Sequence, residues 1–394
     1  MTSPLLVASV SGAIVLALAG RMSPRSSPTT PVGAPCCQQD TVRAIAPPTR
    51  PLPPERASAD TTRFSFIVYG DTRGRNDGQS VQVEHGVVVD AMLQKINALN
   101  SGPDAVRFVL QSGDAVVDGR DAAQWNVSFI SLINRLTTIG GVPYFLAPGN
   151  HDVTTASALS SRGRQQGLQN YLRATAQLIP PENATRRLNG YPTYAFGYGN
   201  TFVLAFDSNI AEDDTQFAWV EQQLRGLDRS RYRHVVVFSH HPPLSSGPHG
   251  GSTVERPAEA VRRRYLPLFR ELGVRLMVTG HEHFLEHWIE RYKSPAGVWQ
   301  RLDHVVSGGG GAPIYTWQGA PDLGRYRATS RGVGVKLEQL VRPGTRERDN
   351  PYHFLVVYVN GGELSVEFVG VDGKAQAQPY KRPRLSLIDA ARAP

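Results

Sequence analysis

Five short apolar runs along this 394-residue chain each end in a polar segment that contains Asp, Asn or His. The runs and their endings are Phe64–Tyr69 before Gly70-Asp71, Val106–Leu110 before Gly113-Asp114, Tyr144–Leu146 before Gly149-Asn150-His151-Asp152, Val235–Phe238 before His240-His241-Pro242, and Leu276–Val278 before Gly280-His281-Glu282-His283. Apolar runs of this length predict buried strands. Helical segments such as Val87–Leu99 and Phe217–Leu227 lie between them, so the pattern favours an α/β architecture.

The number of strands predicts more than one sheet. Phe202–Phe206 and Val305-Val306 read as further strands, and Leu355–Tyr358 and Leu364–Phe368 form a hairpin around Asn360-Gly361-Gly362. We therefore expect an α/β fold with α+β layering, in which two mixed β-sheets pack as a sandwich flanked by helices. Ligands of such folds bind at the carboxyl ends of strands, so the five polar endings are expected to share one site.

The polar endings consist of residues that bind hard or borderline metal ions. A single Gly-Asp pair is usually a turn and a single His is usually structural, but five such endings in one chain indicate a metal centre. The two cysteines are the neighbours Cys36 and Cys37, which excludes a zinc site built from cysteines. Any metal must therefore be held by Asp, Asn and His.

These segments resemble the calcineurin-like metallophosphoesterases, a family that includes purple acid phosphatases and cyclic-nucleotide phosphodiesterases. The resemblance runs from Phe64 to about Tyr315. Its most specific parts are Gly149–Asp152 and Gly280–His283, and Gly113-Asp114, His240–Pro243 and the glycines at 308–311 support it. The family's fold is a metallo-dependent phosphatase sandwich of two mixed sheets flanked by helices, which agrees with the strand pattern.

The resemblance implies two divalent cations, which for ligands of these types are Mn, Zn or Fe. It assigns Asp114 as the bridging ligand, Asp71 and His283 to the first cation, and Asn150, His240 and His281 to the second. His240 is preferred over His241 because the family's ligand His lies two positions before a Pro, here Pro242.

Two cations about 3.5–4 Å apart clamp phosphoryl oxygens and lower the pKa of a shared water, so that a metal-bound hydroxide becomes the nucleophile. By the same resemblance, His151 stabilises the transition state or protonates the leaving group. Asp152 is expected to orient the His151 imidazole. Asp207-Ser208 is a candidate for a supporting position near the site, and His287 for a position near the substrate.

The chain departs from the family pattern at its first motif. That motif normally reads Asp, any residue, His, whereas this chain has Asp71-Thr72-Arg73. Arginine cannot act as a metal ligand because it keeps its proton. His85 is a candidate replacement ligand, the alternative being a surface or helix-capping His. Arg73 is a candidate catalytic residue that pairs with phosphate, the alternative being a salt bridge to a carboxylate.

Composition divides the chain into four regions. Residues 1–19 are read as a signal peptide or membrane anchor, because Leu5–Ala19 is apolar but shorter than a membrane-spanning helix. Residues 20–60 are read as a Pro/Ser-rich disordered linker, 61–373 as the catalytic domain, and 374–394 as a basic flexible tail. Export to the periplasm, the cell envelope or the medium is expected, with membrane anchoring as one form of it.

The expected function is metal-dependent hydrolysis of a phosphate ester, with phosphomonoesters favoured. A cyclic-nucleotide or other phosphodiesterase is the alternative within enzymes, and a non-catalytic metal-binding envelope protein is the alternative outside them. The net charge of +8 and pI near 9.6 come from scattered arginines, so no specific nucleic-acid partner is expected. The expected partner is a small phosphorylated substrate.

Overall fold

The strands of the chain form two mixed sheets. The computed structural model describes residues 41–153, 160–250, 254–320, 326, 334–380 and 385–387. Its strands are β1 Arg63–Tyr69, β2 Val106–Gln111, β3 Tyr144–Leu146, β4 Tyr194–Tyr198, β5 Thr201–Ala205, β6 His234–Phe238, β7 Leu276–Thr279, β8 Leu285–Lys293, β9 Trp299–Ser307, β10 Lys336–Val341, β11 Tyr352–Asn360, β12 Glu363–Val371, β13 Ala377–Pro379 and β14 Leu385–Ser386.

The sheet orders bring distant parts of the sequence together. The first sheet runs β13-β12-β11-β1-β2-β3, with β14 paired to β12, and the second runs β10-β8-β9-β7-β6-β5-β4. In the first sheet β1, β2 and β3 are parallel, and in the second β5, β6, β7 and β9 are parallel. The parallel strands therefore point their carboxyl ends toward one edge of each sheet, which is the arrangement that the polar endings predict.

Helices cover the outer faces of the sheets. The longer helical stretches are Val83–Leu99, residues 122–139, Arg162–Thr175, Asp214–Arg225 and residues 256–271. The stretches 122–139 and 256–271 are built from consecutive α- and π-helical segments. Shorter helical turns are Glu55–Ser58, Asn150–Val153, Ser208–Ile210, Pro248–Gly250 and Glu347–Asp349. No helix among the described residues is both long and apolar enough to span a membrane.

The period-two alternation of β1 shows how the sandwich is built. Phe64, Phe66 and Val68 lie in the core between the two sheets, together with side chains of both sheets. Ile67 and Tyr69 point the other way, into a core shared with the covering helices. A strand buried on both faces has no polar side to mark it, which is why it appears in the sequence as a continuous apolar run. The predicted two-sheet sandwich flanked by helices is confirmed.

The predicted linker is wrong for its last twenty residues. Val42 and Ile45 are buried, and the Ile45 N–H donates to the Ala174 carbonyl at 2.9 Å. The Glu55 carboxylate accepts from the Gly197 N–H at 2.9 Å. Composition alone predicts disorder here because apolar residues are few, but backbone hydrogen bonds to the domain stabilise a polar segment as well. Residues 1–40, with the proposed signal or anchor, lie outside the described residues.

The predicted flexible tail is also partly wrong. β13 pairs with β12, and Tyr380 and Leu387 are buried in the core between the sheets. β14 pairs with β12 as well. The polar composition after residue 373 gives no sign of these two short strands. They form because the backbone groups at the edge of β12 can pair with another segment whatever its side chains are. Residues 388–394 lie outside the described residues.

Candidate metal centre

The polar endings of β1, β2, β3, β6 and β7 meet between the two sheets. The Asp71 N–H donates to the Gly113 carbonyl at 3.0 Å within the first sheet's loops. The His281 N–H, from the second sheet, donates to the Asp71 carboxylate at 2.9 and 3.0 Å. Asp71, Asp114 and His281 have φ of 58°, 55° and 69°. Left-handed backbone at non-glycine residues costs energy and is concentrated at functional sites.

Two glycines allow these loops to approach closely. A Cβ on Gly149 would lie 2.1 Å from Asp114 Oδ1, and one on Gly280 would lie 2.2 Å from Asp71 Oδ2. No larger residue fits at either place without moving a carboxylate. The glycines of the motifs Gly-Asn-His-Asp and Gly-His-Glu-His are therefore explained by close packing of the loops.

Three of the predicted ligands of the second cation converge on one point. His240 Nε2 lies 2.8 Å from Asn150 Oδ1, and His281 Nδ1 lies 3.1 Å from each of these two atoms. Asp114 Oδ1 lies 3.3 Å from His240 Nε2. Ligands about 2.1 Å from a tetrahedral cation stand roughly 3.4 Å apart, so the four donor atoms have the spacing of a metal site.

The tautomers of the two histidines also fit a cation. His240 Nδ1 donates to the Ser112 carbonyl at 2.9 Å, which leaves the lone pair of Nε2 facing the centre. His281 Nε2 donates to Glu255 Oε2 at 2.9 Å, which leaves the lone pair of Nδ1 facing the same point. Burial lowers the pKa of His240 to about 4, so its ring is neutral near pH 7. With these tautomers, the lone pairs of His240 Nε2 and His281 Nδ1 both face Asn150 Oδ1, an arrangement that fits a cation held between them.

The position predicted for the first cation, called the first position below, is built differently from that of the second cation. His283 Nε2 lies 3.5 Å from Asp71 Oδ1, while its Nδ1 donates to the Pro313 carbonyl at 2.6 Å. The Arg73 Nε lies 3.4 Å from Asp114 Oδ2, and the Arg73 side chain is 5% exposed. Burial and the nearby Asp114 raise the pKa of Asp71 well above its ordinary value. Three donor residues and a guanidinium occupy this position, which is a poorer fit to a cation than the second.

His151 lies at the open side of the centre. Its N–H donates to Asp114 Oδ1 at 3.0 Å, and its Nδ1 donates to the Val117 carbonyl at 2.7 Å. Nε2 therefore carries the free lone pair, 3.9 Å from Asp114 Oδ2, and the side chain is 30% exposed. A ring fixed through one nitrogen and accessible through the other can exchange a proton with a bound substrate.

The family follows from a comparison with known proteins. A family model described as calcineurin-like phosphoesterase matches residues 65–285, which is more than half of the chain and contains all six predicted ligands. The chain belongs to the calcineurin-like phosphoesterase family. The family predicted from the motifs is thereby confirmed.

Individual relatives are distant. The chain is 24% identical over 241 residues to the bovine protein named serine/threonine-protein phosphatase CPPED1, covering 58% of this chain and 66% of that one. It is 28% identical over 197 residues to the uncharacterized protein Rv2577 of Mycobacterium tuberculosis, covering 42% of this chain and 35% of that one. The chain thus spans two thirds or less of the length of these relatives.

A solved structure shares the fold. The purple acid phosphatase PPD1 from yellow lupin seeds, Lupinus luteus, superposes with a TM-score of 0.58 at 17% sequence identity. The match covers 83% of this chain and 54% of the lupin chain. At this identity the likeness shows the phosphoesterase fold and nothing finer.

The structure places His240, not His241, beside Asn150 and Asp114. Ser208 Oγ accepts the N–H groups of His240 and His241 at 3.2 and 2.9 Å, so its own proton goes to His241 Nδ1 at 2.9 Å. His241 Nε2 is then an N–H donor. His241, Glu255 and His281 have donor atoms within 4.8 Å of one another, and within this group His281 Nε2 is bonded to Glu255 Oε2 at 2.9 Å. Ser208 has the supporting position that the sequence predicts.

The role expected of Asp152 is wrong. Its carboxylate is fully buried and accepts the N–H groups of Ala115, Val116 and Gly149 at 2.8, 3.2 and 2.8 Å. The His151 ring is held by the Val117 carbonyl instead. Asp152 and His151 are sequence neighbours on one helical turn, and their side chains point in different directions. Asp152 therefore ties the β2 loop to the β3 loop.

We expect Asp152→Ala to destabilise the fold. The substitution leaves three backbone N–H groups without their acceptor, and each buried unpaired group costs about 1–3 kcal/mol, so a loss of about 3 kcal/mol or more in the free energy of unfolding is expected. Urea denaturation measures it. The control is the exposed Asp60→Ala, which should stay within about 0.5 kcal/mol of the wild type. A loss as small as the control's would contradict the assignment.

Two histidines proposed for the site lie elsewhere. His85 Nδ1 contacts Gln82 Oε1 at 2.8 Å and its Nε2 contacts the Tyr69 hydroxyl at 3.1 Å, so neither nitrogen is available to a cation. Burial lowers the pKa of His85 to about 3. His287 is buried in β8, where its Nε2 lies 2.6 Å from Asp303 Oδ1. The expectation that His287 lies near the substrate is wrong, because the chain after His283 enters a strand of the sheet.

Sequence reasoning missed Glu255. Its two carboxylate oxygens accept from His281 Nε2 at 2.9 Å and from His249 Nδ1 at 2.8 Å. The His249 ring packs on the His281 ring at 4.1 Å, and Tyr315 stacks on His283 at 4.0 Å. Glu255 lies 26 residues before His281 at the start of a helix, and no motif marks it. A carboxylate behind a ligand histidine fixes the tautomer of the ring.

We expect Glu255→Ala to weaken cation binding roughly 10- to 100-fold, which is the usual effect of losing such a carboxylate. Glu255→Gln should recover part of the loss, because an amide oxygen still accepts from His281 Nε2. Competition with a chromogenic chelator measures the affinity. Glu259→Ala, on the exposed side of the same helix, is the control. Equal affinities for Glu255→Ala and the control would rule out a positioning role.

Proposed function

We propose that this chain hydrolyses phosphate esters, with phosphomonoesters preferred, at the centre formed by Asp114, Asn150, His240 and His281. The observation that carries the proposal is the convergence of two histidine lone pairs on Asn150 Oδ1 beside the Asp114 carboxylate. Membership of the calcineurin-like phosphoesterase family supports the reaction class.

The proposed mechanism assigns separate tasks to the residues around the centre. Asp114, Asn150, His240 and His281 would hold a cation, which when bound would supply Lewis-acid polarisation of a phosphoryl oxygen and lower the pKa of a water. His151, held at Nδ1 by the Val117 carbonyl, presents Nε2 to the leaving group, to which it delivers a proton when charged. Arg73, beside Asp114, adds a permanent positive charge where the phosphoryl group gains negative charge.

The preference for monoesters rests on charge. A phosphomonoester dianion carries one more negative charge than a diester, and the buried guanidinium of Arg73 favours the more negative substrate. The preference is tested with p-nitrophenyl phosphate against bis-p-nitrophenyl phosphate at equal concentrations. A larger kcat/KM for the monoester is expected. A larger value for the diester would establish the phosphodiesterase alternative.

The panel of test substrates should also include natural classes of phosphate ester. The bovine relative is named a serine/threonine-protein phosphatase, so a phosphoserine peptide belongs in the panel beside small phosphorylated metabolites, a cyclic nucleotide and an oligonucleotide. We propose a small phosphorylated molecule as the substrate and no action on the oligonucleotide. If the purified protein loaded with Mn, Zn or Fe hydrolyses no ester in the panel, the alternative of a non-catalytic metal-binding envelope protein is supported instead.

We also propose that the protein acts outside the cytoplasm. The apolar stretch Leu5–Ala19 supports export, and the proposal covers both a cleaved signal and a retained anchor. Cell fractionation followed by N-terminal sequencing tests it. Recovery of the protein in the cytoplasmic fraction with Met1 intact would contradict export.

A further inference from the structure

Arg73 stands where the family pattern has a histidine ligand. Its side chain is 5% exposed, its Nε lies 3.4 Å from Asp114 Oδ2, and a second guanidinium nitrogen donates to Asn76 Oδ1. The Nε is buried and has no hydrogen-bond partner among the described residues. A guanidinium keeps its proton and offers no lone pair, so Arg73 cannot replace the missing ligand.

The donors of the two positions are unequal. The second position has Asn150, His240 and His281 besides the shared Asp114. The first has only Asp71 and His283 besides the shared carboxylate. Among the described residues, Asp71 has donor atoms within 4.8 Å of those of Asp114 and His240, whereas His283 belongs to no such group of three. A cation at the first position would have fewer ligands and an arginine as its neighbour.

Electrostatics gives the guanidinium a role of its own. Asp71 and Asp114 are both buried, at 0% and 1% exposure, and with His240 they have donor atoms within 4.8 Å of one another, so a positive charge nearby stabilises the two carboxylates when both are ionised. The Arg73 guanidinium places a permanent positive charge beside Asp114, with its Nε 3.4 Å from Asp114 Oδ2. Arg73 therefore supplies part of the charge that a first cation supplies in a two-cation centre. A divalent cation brought beside it would be repelled.

We infer that the Arg73 guanidinium takes the place of the first cation, so that the protein binds one divalent cation per chain, at Asp114, Asn150, His240 and His281. The inference rests on the proposed function, since it concerns the same centre. It makes the centre a hybrid in which one charge comes from a metal ion and the other from a side chain. It also explains why the second position is complete while the first is not.

Metal content tests the inference. The purified full chain is dialysed against excess Mn²⁺, freed of unbound metal and analysed by inductively coupled plasma mass spectrometry. About one Mn²⁺ per chain is expected, with the electron paramagnetic resonance signal of an isolated ion, because a pair about 3.5–4 Å apart would be exchange-coupled. Two Mn²⁺ per wild-type chain with a coupled signal would overturn the inference.

Substitutions test which residues set the number of bound Mn²⁺ ions. Arg73→His restores the family ligand and should raise the content to about two per chain, whereas Arg73→Lys keeps the charge and should leave it at about one. Asn150→Ala should lose the ion and His283→Ala should keep it. Only one Mn²⁺ per chain in Arg73→His would overturn the inference. Loss of the ion in His283→Ala but not in Asn150→Ala would overturn it as well. Thermal denaturation of each variant shows whether it is folded, and only folded variants are compared.

Hydrolysis measured on the same samples separates this inference from the proposed function. One ion per chain together with hydrolysis supports both. Two ions together with hydrolysis overturns the inference and leaves the function standing. One ion without hydrolysis of any ester in the panel contradicts the function and leaves the metal assignment standing.

Discussion

Asp114→Asn is expected to lower the kcat/KM for p-nitrophenyl phosphate by more than about 100-fold. Loss of a residue that hydrogen-bonds to a metal ligand already lowers metal affinity or activity roughly 10- to 100-fold. Loss of the charge of the ligand itself should lower them further. Asp114 lies 3.3 Å from His240 Nε2 and 3.4 Å from Arg73 Nε, so its carboxylate joins both positions of the centre. The asparagine keeps the shape and an oxygen that accepts the His151 N–H.

The control is Asp118→Asn. Asp118 lies on the same loop, its carboxylate pairs with the exposed Arg120 at 2.6 Å, and it has no hydrogen bond to a predicted ligand among the described residues. Steady-state kinetics and metal content should both match the wild type. If Asp114→Asn kept a tenth or more of the wild-type kcat/KM while remaining folded, Asp114 could not be the shared ligand of the centre.

His151→Ala is expected to lower kcat by roughly 10²- to 10⁴-fold, the usual contribution of a general acid or base. Metal content should not change, because the side chain reaches Asp114 only at 3.9 Å and its Nδ1 is bonded to the Val117 carbonyl. The loss should be larger with phenyl phosphate than with p-nitrophenyl phosphate, because the poorer leaving group depends more on protonation.

The dependence on the leaving group separates proton transfer from other roles. Equal losses with the two substrates would mean that His151 stabilises charge on the phosphoryl group and does not protonate the leaving group. A loss of bound metal in His151→Ala would mean that the imidazole supports the centre itself. Either result would contradict the role proposed for His151.

Much of the fold could be predicted because its strands are buried on both faces. Such strands appear as apolar runs, and all five that end in ligand residues were visible in the sequence. β8 could not be recognised as a strand in the sequence, because its buried residues include Glu286, His287 and Glu290. These side chains pair with groups from other elements. Buried polar residues look like surface residues until their partners are known.

The candidate site likewise contains residues that could be predicted from the sequence and residues that could not. Asp71, Asp114, Asn150, His240, His281 and His283 could be found because each follows a strand, and the parallel strands deliver them to one edge. Glu255 could not, since only the folding of a distant helix brings it to His281. The role of Asp152 was misread because adjacency in sequence says little about side-chain direction on a helical turn.

The central claim is that hydrolysis requires a cation held by Asp114, Asn150, His240 and His281. It is tested most directly by removing the metal with a chelator, measuring p-nitrophenyl phosphate hydrolysis, and titrating Mn²⁺ back. We expect activity to fall to background and to return in proportion to bound Mn²⁺, in the wild type but not in Asn150→Ala. Hydrolysis that survives complete removal of the metal, or that returns equally in Asn150→Ala, would contradict the claim.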